Sequence, residues 1–311
     1  MLLVTGANGF VGTGLVEALQ AQGVPFRAAT RHARANSVGV GEISSQTDWT
    51  SALDGIETVV HLAARVHVMN ETSADPQAAF DAVNVEGSVR LARQAAARGV
   101  RRMVYVSSIK TNGESTSPGH PYRPDDQPNP IDFYGISKWK AEESLRQVAV
   151  ETGLELVIVR PPLVYGPGVG GNFGSLMRLV DRGIPLPFGA ASNLRSMVAR
   201  TNLVSIILAA ASHRAAAGEV FLASDDLDIS TRGLVEAIGT ALGRRPLLLP
   251  VPPLLLQAAA RLVGKAGVVQ RLFGSLQVDV SRTRSVLGWA PVTTMQEELA
   301  RTAAAYRARL D

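Results

Sequence analysis

Tyr134 and Lys138 stand four positions apart in "YGISK" (134–138), inside a run of strongly helical character. Residues at i and i+4 lie on one face of an α-helix, so the phenol and the ammonium would be close neighbours. A free tyrosine has a pKa of about 10, and a neighbouring cation favours its phenolate. The pair is therefore a candidate for proton transfer, provided that the surrounding elements bring a reacting group to it.

The composition is that of a globular protein with a sizeable core, because 46% of the 311 residues are hydrophobic and 19% are charged. The absence of cysteine excludes disulfides and thiolate chemistry. The five histidines show no spacing typical of a zinc site, and we expect no metal. The sequence contains no run of about eighteen apolar residues, so no transmembrane segment is predicted. The chain opens on "MLLVTG" without a basic leader, which favours a cytoplasmic location.

The net charge of +4 is modest and gives little support for nucleic-acid binding. A groove for single strands would need basic residues interleaved with aromatic ones, and the sequence has no such block. A mild positive charge fits an anionic small molecule, such as a nucleotide, better.

The first half of the chain alternates apolar runs with helical patterns, which is typical of a parallel sheet with crossover helices. Strands are predicted over Leu2–Thr5, Pro25–Thr30, Val38–Ile43, Thr58–Leu62, Met103–Ser107 and Leu156–Arg160, and helices over Phe10–Ala21, Pro76–Ala97 and Tyr134–Glu151. The fold class is α/β, a doubly wound parallel sheet of the Rossmann type with a smaller C-terminal α/β substrate lobe. We expect residues 1–165 and 197–240 to form the dinucleotide-binding domain, 166–196 and 241–293 the substrate lobe, and 294–311 a C-terminal helix.

A glycine-rich turn follows the first strand, in "LLVTGANGFVGTGLVEAL" (2–19). Gly6, Gly9 and Gly12 have the spacing of a turn that lets the backbone approach a pyrophosphate at a helix N-terminus. The order of strand, turn and amphipathic helix is the context that supports a dinucleotide site. Asn8, Phe10 and Val11 complete the predicted turn.

The second strand ends near Arg31, where the type of nucleotide is normally selected. An acidic residue there would bind the ribose 2′-hydroxyl of NAD, and an arginine would receive the 2′-phosphate of NADP. No acid occurs from Val24 to Gly41, so the sequence favours NADP(H), with NAD(H) as the alternative. Glu42 and Ile43 are predicted to end the third strand and to hold the adenine.

Five motifs occur in order: "TGANGFVG", "VHLAA", "VYVSSIK", "YGISK" and "VRPPLVYGPG". Together they resemble the extended short-chain dehydrogenase/reductase family, in its nucleotide-sugar epimerase/dehydratase branch, over nearly the whole chain. The resemblance implies that Tyr134 exchanges a proton, that Lys138 assists it and holds the nicotinamide ribose, and that Ser108 aligns the reacting oxygen.

The resemblance also implies further binding residues. Leu62, Ala63, Ala64, Pro161 and Val164 would border the cofactor. Asn172, Phe188, Arg195 and Arg271 would contact a nucleotide-sugar substrate, with UDP as the expected nucleotide. Lys110 departs from the general epimerase pattern and is a candidate substrate or phosphate contact, with a solvated loop residue as the alternative. The helices over Pro76–Ala97 and Tyr134–Glu151 resemble a pair that forms a dimer interface, which implies a homodimer.

Three reactions share such a scaffold. A 4,6-dehydratase needs an Asp-Glu pair after the fifth-strand hydroxyl, but Ile109 and Lys110 stand there and exclude it. Arg31 favours a reductase of the C4 keto group of a UDP-4-keto-6-deoxy-hexosamine. A UDP-sugar 4-epimerase with tightly bound NAD is the alternative, and a non-catalytic NADP(H)-sensing or assembly protein is a more remote one.

Overall fold

The computed structural model describes residues 1–33, 37–66, 74–117, 119–252, 255 and 273–309. Within them, seven strands form a parallel sheet in the order β3-β2-β1-β4-β5-β6-β9. These strands are β1 (Leu2–Thr5), β2 (Phe26–Thr30), β3 (Ser37–Gly39), β4 (Thr58–His61), β5 (Arg102–Val106), β6 (Glu155–Arg160) and β9 (Val220–Leu222). The reversal of strand order beside β1 defines the doubly wound topology that the sequence predicts.

A second, three-stranded sheet has the order β10-β8-β7. Its strands are β7 (Leu163–Tyr165), β8 (Arg195–Ala199) and β10 (Asp228–Ile229). The α-helices of the described residues are α1 (Phe10–Ala21), α2 (Thr50–Leu53), α3 (Pro76–Asp81), α4 (Gly87–Ala97), α5 (Phe133–Thr152), α6 (Gly171–Asp181), α7 (Arg200–Ser212), α8 (Thr231–Ala241), α9 (Ser281–Leu287) and α10 (Met295–Arg307).

Alternate residues of the central strands face opposite layers of helices, because successive side chains of a strand point to opposite faces. Val4 of β1 packs into a core shared with α1 and α7, and its neighbour Leu3 packs into a core shared with α4 and α5. Both residues are fully buried. The two cores fix α1 and α5 on opposite faces of the same sheet.

A third core joins α6, α8 and α10 around Phe173, Val235 and Leu299. The predicted boundaries differ from this packing in three places. α8 belongs with this third core rather than with the dinucleotide-binding domain, and α10 is part of the same core rather than a separate C-terminal helix. Leu287 of α9 packs on the first core instead of in the substrate lobe. Amphipathic periodicity shows that a helix has a buried face, but not which core covers it.

Two elements differ from their predicted bounds by more than one residue at an end or by an interruption. β3 is a short edge strand that ends at Gly39, so Glu42 and Ile43 follow it rather than end it. The helix predicted over Pro76–Ala97 is interrupted by a π-helical turn over Ala82–Glu86. Such turns are often found at functional sites, and this one carries the buried residue Asn84.

Candidate active site

The glycine-rich turn between β1 and α1 is closed by backbone contacts. Gly6 has a φ of +67°, and a Cβ on it would lie 2.7 Å from the backbone nitrogen of Ala63, just after β4. A Cβ on Gly12 would lie 2.1 Å from the carbonyl oxygen of Gly6. The amide of Gly9 donates to that same oxygen at 2.9 Å. Positions 6 and 12 therefore require glycine for the turn to close as it does.

The N-terminus of α1 fits an anionic group. Gly9 is the N-cap, and within the described chain no side chain caps this helix end. Asn8 and Gly9 are exposed, and Phe10 and Val11 are half-buried. Unpaired amides and the helix dipole favour an anion at this position. This donor set fits the pyrophosphate of a dinucleotide, and pyrophosphate binding at this turn stays a prediction.

The carboxyl edge of the sheet supplies the other residues predicted to border the cofactor. Leu62, Ala63 and Ala64 are half-buried directly after β4. The hydroxyl of Ser107, at the end of β5, is buried and has no hydrogen-bond partner among the described residues. An unpaired buried hydroxyl is costly, so this edge suits a polar ligand. Ser107 was not among the predicted residues.

Arg31 and Glu42 form an ion pair at this edge. The Arg31 Nε lies 3.0 Å from the Glu42 Oε1, and both side chains are largely exposed. The arginine that the sequence assigns to a 2′-phosphate is thus paired with an acid from the loop after β3. Ile43 is half-buried against α4, because a Cβ on Gly87 would lie 2.4 Å from the Ile43 Cγ2. It therefore packs on a helix in this structure.

The structure brings Ser108 and Tyr134 together. Ser108 follows β5 and accepts a hydrogen bond from the Lys110 amide, which starts a 3₁₀ turn over Ile109–Thr111. Tyr134 is in the first turn of α5, whose N-cap is Asp132. The Ser108 hydroxyl lies close enough to the Tyr134 phenol to lower its pKa. The proton-exchanging role of Tyr134 and the aligning role of Ser108 stay predictions.

Lys138 lies one turn further along α5 and is 2% exposed. Its Nζ lies 4.1 Å from the centre of the Tyr105 ring. Burial lowers the pKa of Lys138 to about 7, and the Glu142 carboxylate opposes this shift. The Lys138 ammonium is thus close to its titration point at neutral pH, one helical turn after Tyr134.

The pKa of Tyr134 differs from the expectation. The sequence predicts that Lys138 and a bound nicotinamide would draw it down, but burial raises it to about 12 and the Asp132 charge adds to the rise. Burial has the larger effect on the Tyr134 pKa. Moving a phenolate out of water costs more free energy than one hydrogen bond from a neutral hydroxyl recovers. In this protein the Ser108 hydroxyl is the group that lowers the pKa of Tyr134.

Two supporting residues were missed by sequence reasoning. Asn84, in the π-helical turn, donates to the Ser137 hydroxyl at 2.9 Å, and Ser137 donates to the Tyr134 carbonyl at 2.8 Å. His61, at the end of β4, contacts the hydroxyls of Thr5 and Ser88 at 2.6 and 2.9 Å. The histidine in "VHLAA" was a visible signal, whereas nothing local marks Asn84.

Pro161 and Val164 lie on the far side of the Ser108 turn. The Pro161 carbonyl accepts from the Ile109 amide at 3.0 Å, which ties that turn to the end of β6. Val164 is half-buried in β7, opposite Val198 of β8. Pro161 thus supports the turn that presents Ser108.

Three of the predicted substrate residues, Asn172, Phe188 and Arg195, lie in the predicted substrate lobe (166–196 and 241–293), and Lys110 lies outside it. Asn172 is exposed in the first turn of α6. Arg195 begins β8 and donates to the Gly274 carbonyl at 3.0 Å, while Lys110 is paired with acids near Ser108. Phe188 is buried against Phe273 with ring centres 5.8 Å apart, so it packs in the core rather than presenting a face to a base. Arg271 lies outside the described residues.

Other classes of site find no support in the described part of the chain. Its His, Asp and Glu side chains form no group of three that could hold a metal ion. None of its helices combines the length and apolar character needed to span a bilayer.

A dinucleotide cradle at the carboxyl edge of a parallel sheet, with a serine, a tyrosine and a lysine beside it, defines a short-chain dehydrogenase/reductase. The model of the family described as "NAD dependent epimerase/dehydratase family" matches residues 2–223. The chain belongs to that family, and it is an NAD-dependent enzyme of the short-chain dehydrogenase/reductase superfamily.

Comparison with individual proteins agrees with this assignment. The chain is 45% identical to a UDP-glucose 4-epimerase of Vibrio cholerae over 311 residues, covering 98% of this chain and 95% of that protein. A crystal structure of the UDP-glucose 4-epimerase of Thermotoga maritima with UDP-glucose has a TM-score of 0.78 at 23% identity, covering 100% and 99% of the two chains. MoeE5 in complex with UDP-glucose and NAD has a TM-score of 0.76 at 26% identity, with the same coverage.

Proposed function

We propose that the protein is a UDP-sugar 4-epimerase that retains NAD as its redox cofactor. The observation that carries this proposal is the 45% identity to the Vibrio cholerae UDP-glucose 4-epimerase along nearly the full length of both chains. The hydrogen-bonded Ser108 and Tyr134, with Lys138 one turn away, supply the acid–base groups that the reaction needs.

The pairing of Arg31 with Glu42 supports NAD over NADP. An arginine receives a 2′-phosphate best when its guanidinium is not already bound to a carboxylate. In this structure the Glu42 carboxylate lies 3.0 Å from Arg31 and would repel a second anion. The same acid would accept a hydrogen bond from a ribose hydroxyl.

Tyr134 is the acid–base group of the proposed mechanism. NAD, when bound, accepts the hydride from C4 of the sugar and later returns it to the opposite face. As the hydride leaves, Tyr134 in its phenolate form would take the proton of the C4 hydroxyl, so that a keto sugar would form. The Ser108 hydroxyl holds the C4 oxygen in line with Tyr134. After the keto sugar has rotated so that its other face meets the cofactor, Tyr134 would give the proton back to the C4 oxygen. The sugar then undergoes no net oxidation.

Lys138 and the buried surroundings tune this proton transfer. A pKa of about 12 leaves Tyr134 protonated at neutral pH, so the first step needs a cation nearby. Lys138 supplies a charge that titrates at about 7. Burial of Lys138 and Ser108 also excludes water that would compete for the keto group.

Reduction of a UDP-4-keto-6-deoxy-hexosamine stays a second candidate, favoured by the presence of Arg31. The experiment that separates the two incubates the purified protein with UDP-glucose or UDP-N-acetylglucosamine without any added nucleotide. An epimerase produces the C4 epimer under these conditions, and Tyr134→Phe abolishes this while retaining its nucleotide. A protein that forms no epimer, but oxidises added NADPH with a UDP-4-keto sugar, is the reductase.

We further propose a homodimer formed by α3, α4 and α5. Val150 of α5 is 83% exposed, and Phe133, at the start of the same helix, is 50% exposed. The two side chains are 17 positions apart, near the two ends of α5, and leave apolar surface on this helix for a partner to cover. Sedimentation at micromolar concentration would show a dimer, and a monomer alone would contradict the proposal.

A further inference from the structure

Lys110 is held between two carboxylates close to the candidate active site. Its Nζ donates to Glu114 Oε1 at 2.8 Å and to Asp132 Oδ2 at a shorter distance. The Lys110 side chain is 19% exposed, so the three charges are partly shielded from water. Lys110 also belongs to the 3₁₀ turn that begins at Ser108, and its amide donates to the Ser108 hydroxyl at 3.3 Å.

Asp132 joins this lysine to the start of the catalytic helix. Its Oδ1 accepts from the Gly135 amide at 2.7 Å as the N-cap of α5, while its Oδ2 binds Lys110. The Lys110 turn also packs directly on that helix, because a Cβ on Gly135 would lie 3.0 Å from the Lys110 carbonyl oxygen. The two segments that carry Ser108 and Tyr134 are thus fastened together by Lys110 and Asp132.

Glu114 extends the connection toward the second lobe. Its charge raises the pKa of Arg195, which burial lowers. Arg195 opens β8 and is one of the residues predicted to contact the substrate. Lys110 is therefore bound both to Asp132, whose charge acts on Tyr134, and to Glu114, whose charge acts on Arg195.

The charged and titratable groups around Tyr134 come from several elements. They are Asp132 at the cap of α5, Lys138 one turn along α5, Tyr105 of β5, Lys110, which is bound to Asp132, and Arg65, whose guanidinium lies over the Phe80 ring beside Tyr134. The carboxylates of Glu142 and Asp81 are paired with Arg160 and Lys140. Of these, Asp132 is the carboxylate that raises the pKa of Tyr134. Its charge opposes formation of the phenolate, and Lys110 is bound to it.

We propose that Lys110 is a positioning residue, which fixes the Ser108 turn against the first turn of α5 and offsets the charge of Asp132 beside Tyr134. The role in turnover rests on the proposed function, because it presumes that Tyr134 exchanges the proton. The Lys110 contacts themselves do not depend on which sugar is bound. This role differs from the substrate contact that the sequence predicts for Lys110.

Neutralising Lys110 has an electrostatic consequence that a purely structural role would not have. Without the ammonium, Asp132 keeps its full charge two residues before Tyr134, and the phenolate becomes harder to form. Two charges separated by a few ångströms near a protein surface shift a pKa by about one unit. Replacing Asp132 by asparagine has the opposite effect, and asparagine still serves as an N-cap.

The test is an NMR titration of the NAD-loaded protein labelled with ¹³Cζ-tyrosine, because the positive nicotinamide ring favours the Tyr134 phenolate and brings its titration into the range where Lys110 is still charged. The chain has five tyrosines, and Tyr134→Phe identifies the signal of Tyr134. Lys110→Met keeps the aliphatic stem and should raise the midpoint of Tyr134 by about one unit. Asp132→Asn should lower the midpoint, and the double variant Lys110→Met/Asp132→Asn should stay close to Asp132→Asn alone.

Lys140→Met is the matched control. Lys140 is on the same helix, and its Nζ binds Asp81 at 2.6 Å, so this variant also removes one lysine–aspartate pair from α5. It should leave the Tyr134 midpoint unchanged. A Tyr134 midpoint in Lys110→Met that equals the wild-type midpoint would overturn the proposal. A Tyr134 midpoint in Lys110→Met that lies below the wild-type midpoint would overturn it as well. Should Lys110→Met not fold, an Asp132→Asn midpoint no lower than that of wild type would overturn it.

Epimerase kinetics then separate this inference from the proposed function. If Lys110→Met shifts the pH profile of kcat toward alkaline pH by the same amount as the NMR midpoint, both stand. If the NMR midpoint shifts but wild type forms no C4 epimer, the proposed function fails and the role of Lys110 stands. If wild type is an epimerase and the midpoint does not move, the role of Lys110 fails alone.

Discussion

Arg160 and Glu142 form a two-point ion pair in the interior of the protein, between β6 and the catalytic helix α5. The guanidinium Nε and Nη2 donate to the two carboxylate oxygens at 3.0 and 2.6 Å. Both residues are almost fully buried, at 1% and 0% exposed. Glu142 is one turn beyond Lys138, and its charge opposes the lowering of the Lys138 pKa by burial, so this pair positions the carboxylate that favours the charged form of Lys138.

Removing one member of this pair should therefore cost stability. Arg160→Met removes the two-point partner of the buried Glu142 carboxylate and leaves it the longer contact to Arg146 Nη2 at 3.6 Å, so a loss of about 3 kcal/mol in the free energy of unfolding is expected. Urea unfolding followed by circular dichroism measures the loss. Arg101→Met is the control, because Arg101 is more than half exposed and its pair with Glu155 should contribute less than about 1 kcal/mol. Similar losses in the two variants would contradict this account of the buried pair.

Ser108→Ala should slow turnover more than it weakens binding. The substitution removes the hydrogen bond that lowers the pKa of Tyr134. We expect kcat to fall by about tenfold to a hundredfold, with the pH profile of kcat moved toward alkaline pH. Ser108→Thr, which retains a hydroxyl, should recover most of the rate. A rate for Ser108→Ala equal to wild type would remove Ser108 from the proton transfer.

Glu42→Gln should change the choice of nucleotide. Without the carboxylate 3.0 Å away, Arg31 becomes able to bind a 2′-phosphate. The affinity for NADP relative to NAD should rise about fivefold, as expected for releasing one exposed ion pair. Calorimetric titration with each nucleotide measures the ratio. Adding Arg31→Ala should cancel the gain; if the gain persists, another group binds the phosphate.

His61 should make the stability of the protein depend on pH in the acidic range. Burial lowers its pKa from 6.5 to about 3, so between these values the unfolded chain binds a proton that the folded chain does not. Stability due to this group is therefore complete above about 6.5 and is lost as the pH falls toward 3. The loss amounts to about 1.4 kcal/mol per pH unit.

The measurement compares wild type with His61→Gln by urea unfolding at several pH values. The variant should show a smaller slope of unfolding free energy against pH, by about one proton, whatever its absolute stability. Parallel slopes would mean that His61 is protonated in the folded protein.

Features that depend on local sequence could be predicted. β1 and α1 have the predicted bounds, because an apolar strand, three spaced glycines and an amphipathic helix are local signals. The same holds for Tyr134 in the first turn of α5, where Asp132 supplies the cap. The neighbourhood of Ser108 and Tyr134 followed from the resemblance of "VYVSSIK" and "YGISK" to a known pattern.

Features that depend on distant contacts could not be predicted. The end of β3 is set by its pairing with β2, and Arg31 is neutralised by an acid eleven positions away on the loop beyond β3. Phe188 has an aromatic side chain that could stack on a base, but it is buried against Phe273. The pKa of Tyr134 is governed by burial, which no spacing of residues reveals.

The nucleotide released when the purified protein is denatured tests the central claim most directly. The account predicts NAD in near-stoichiometric amount, because an epimerase borrows a hydride and returns it without exchanging its cofactor. NADP(H) in the released fraction, or an empty protein that binds NADPH much more tightly than NADH, would contradict the epimerase and return the assignment to a reductase.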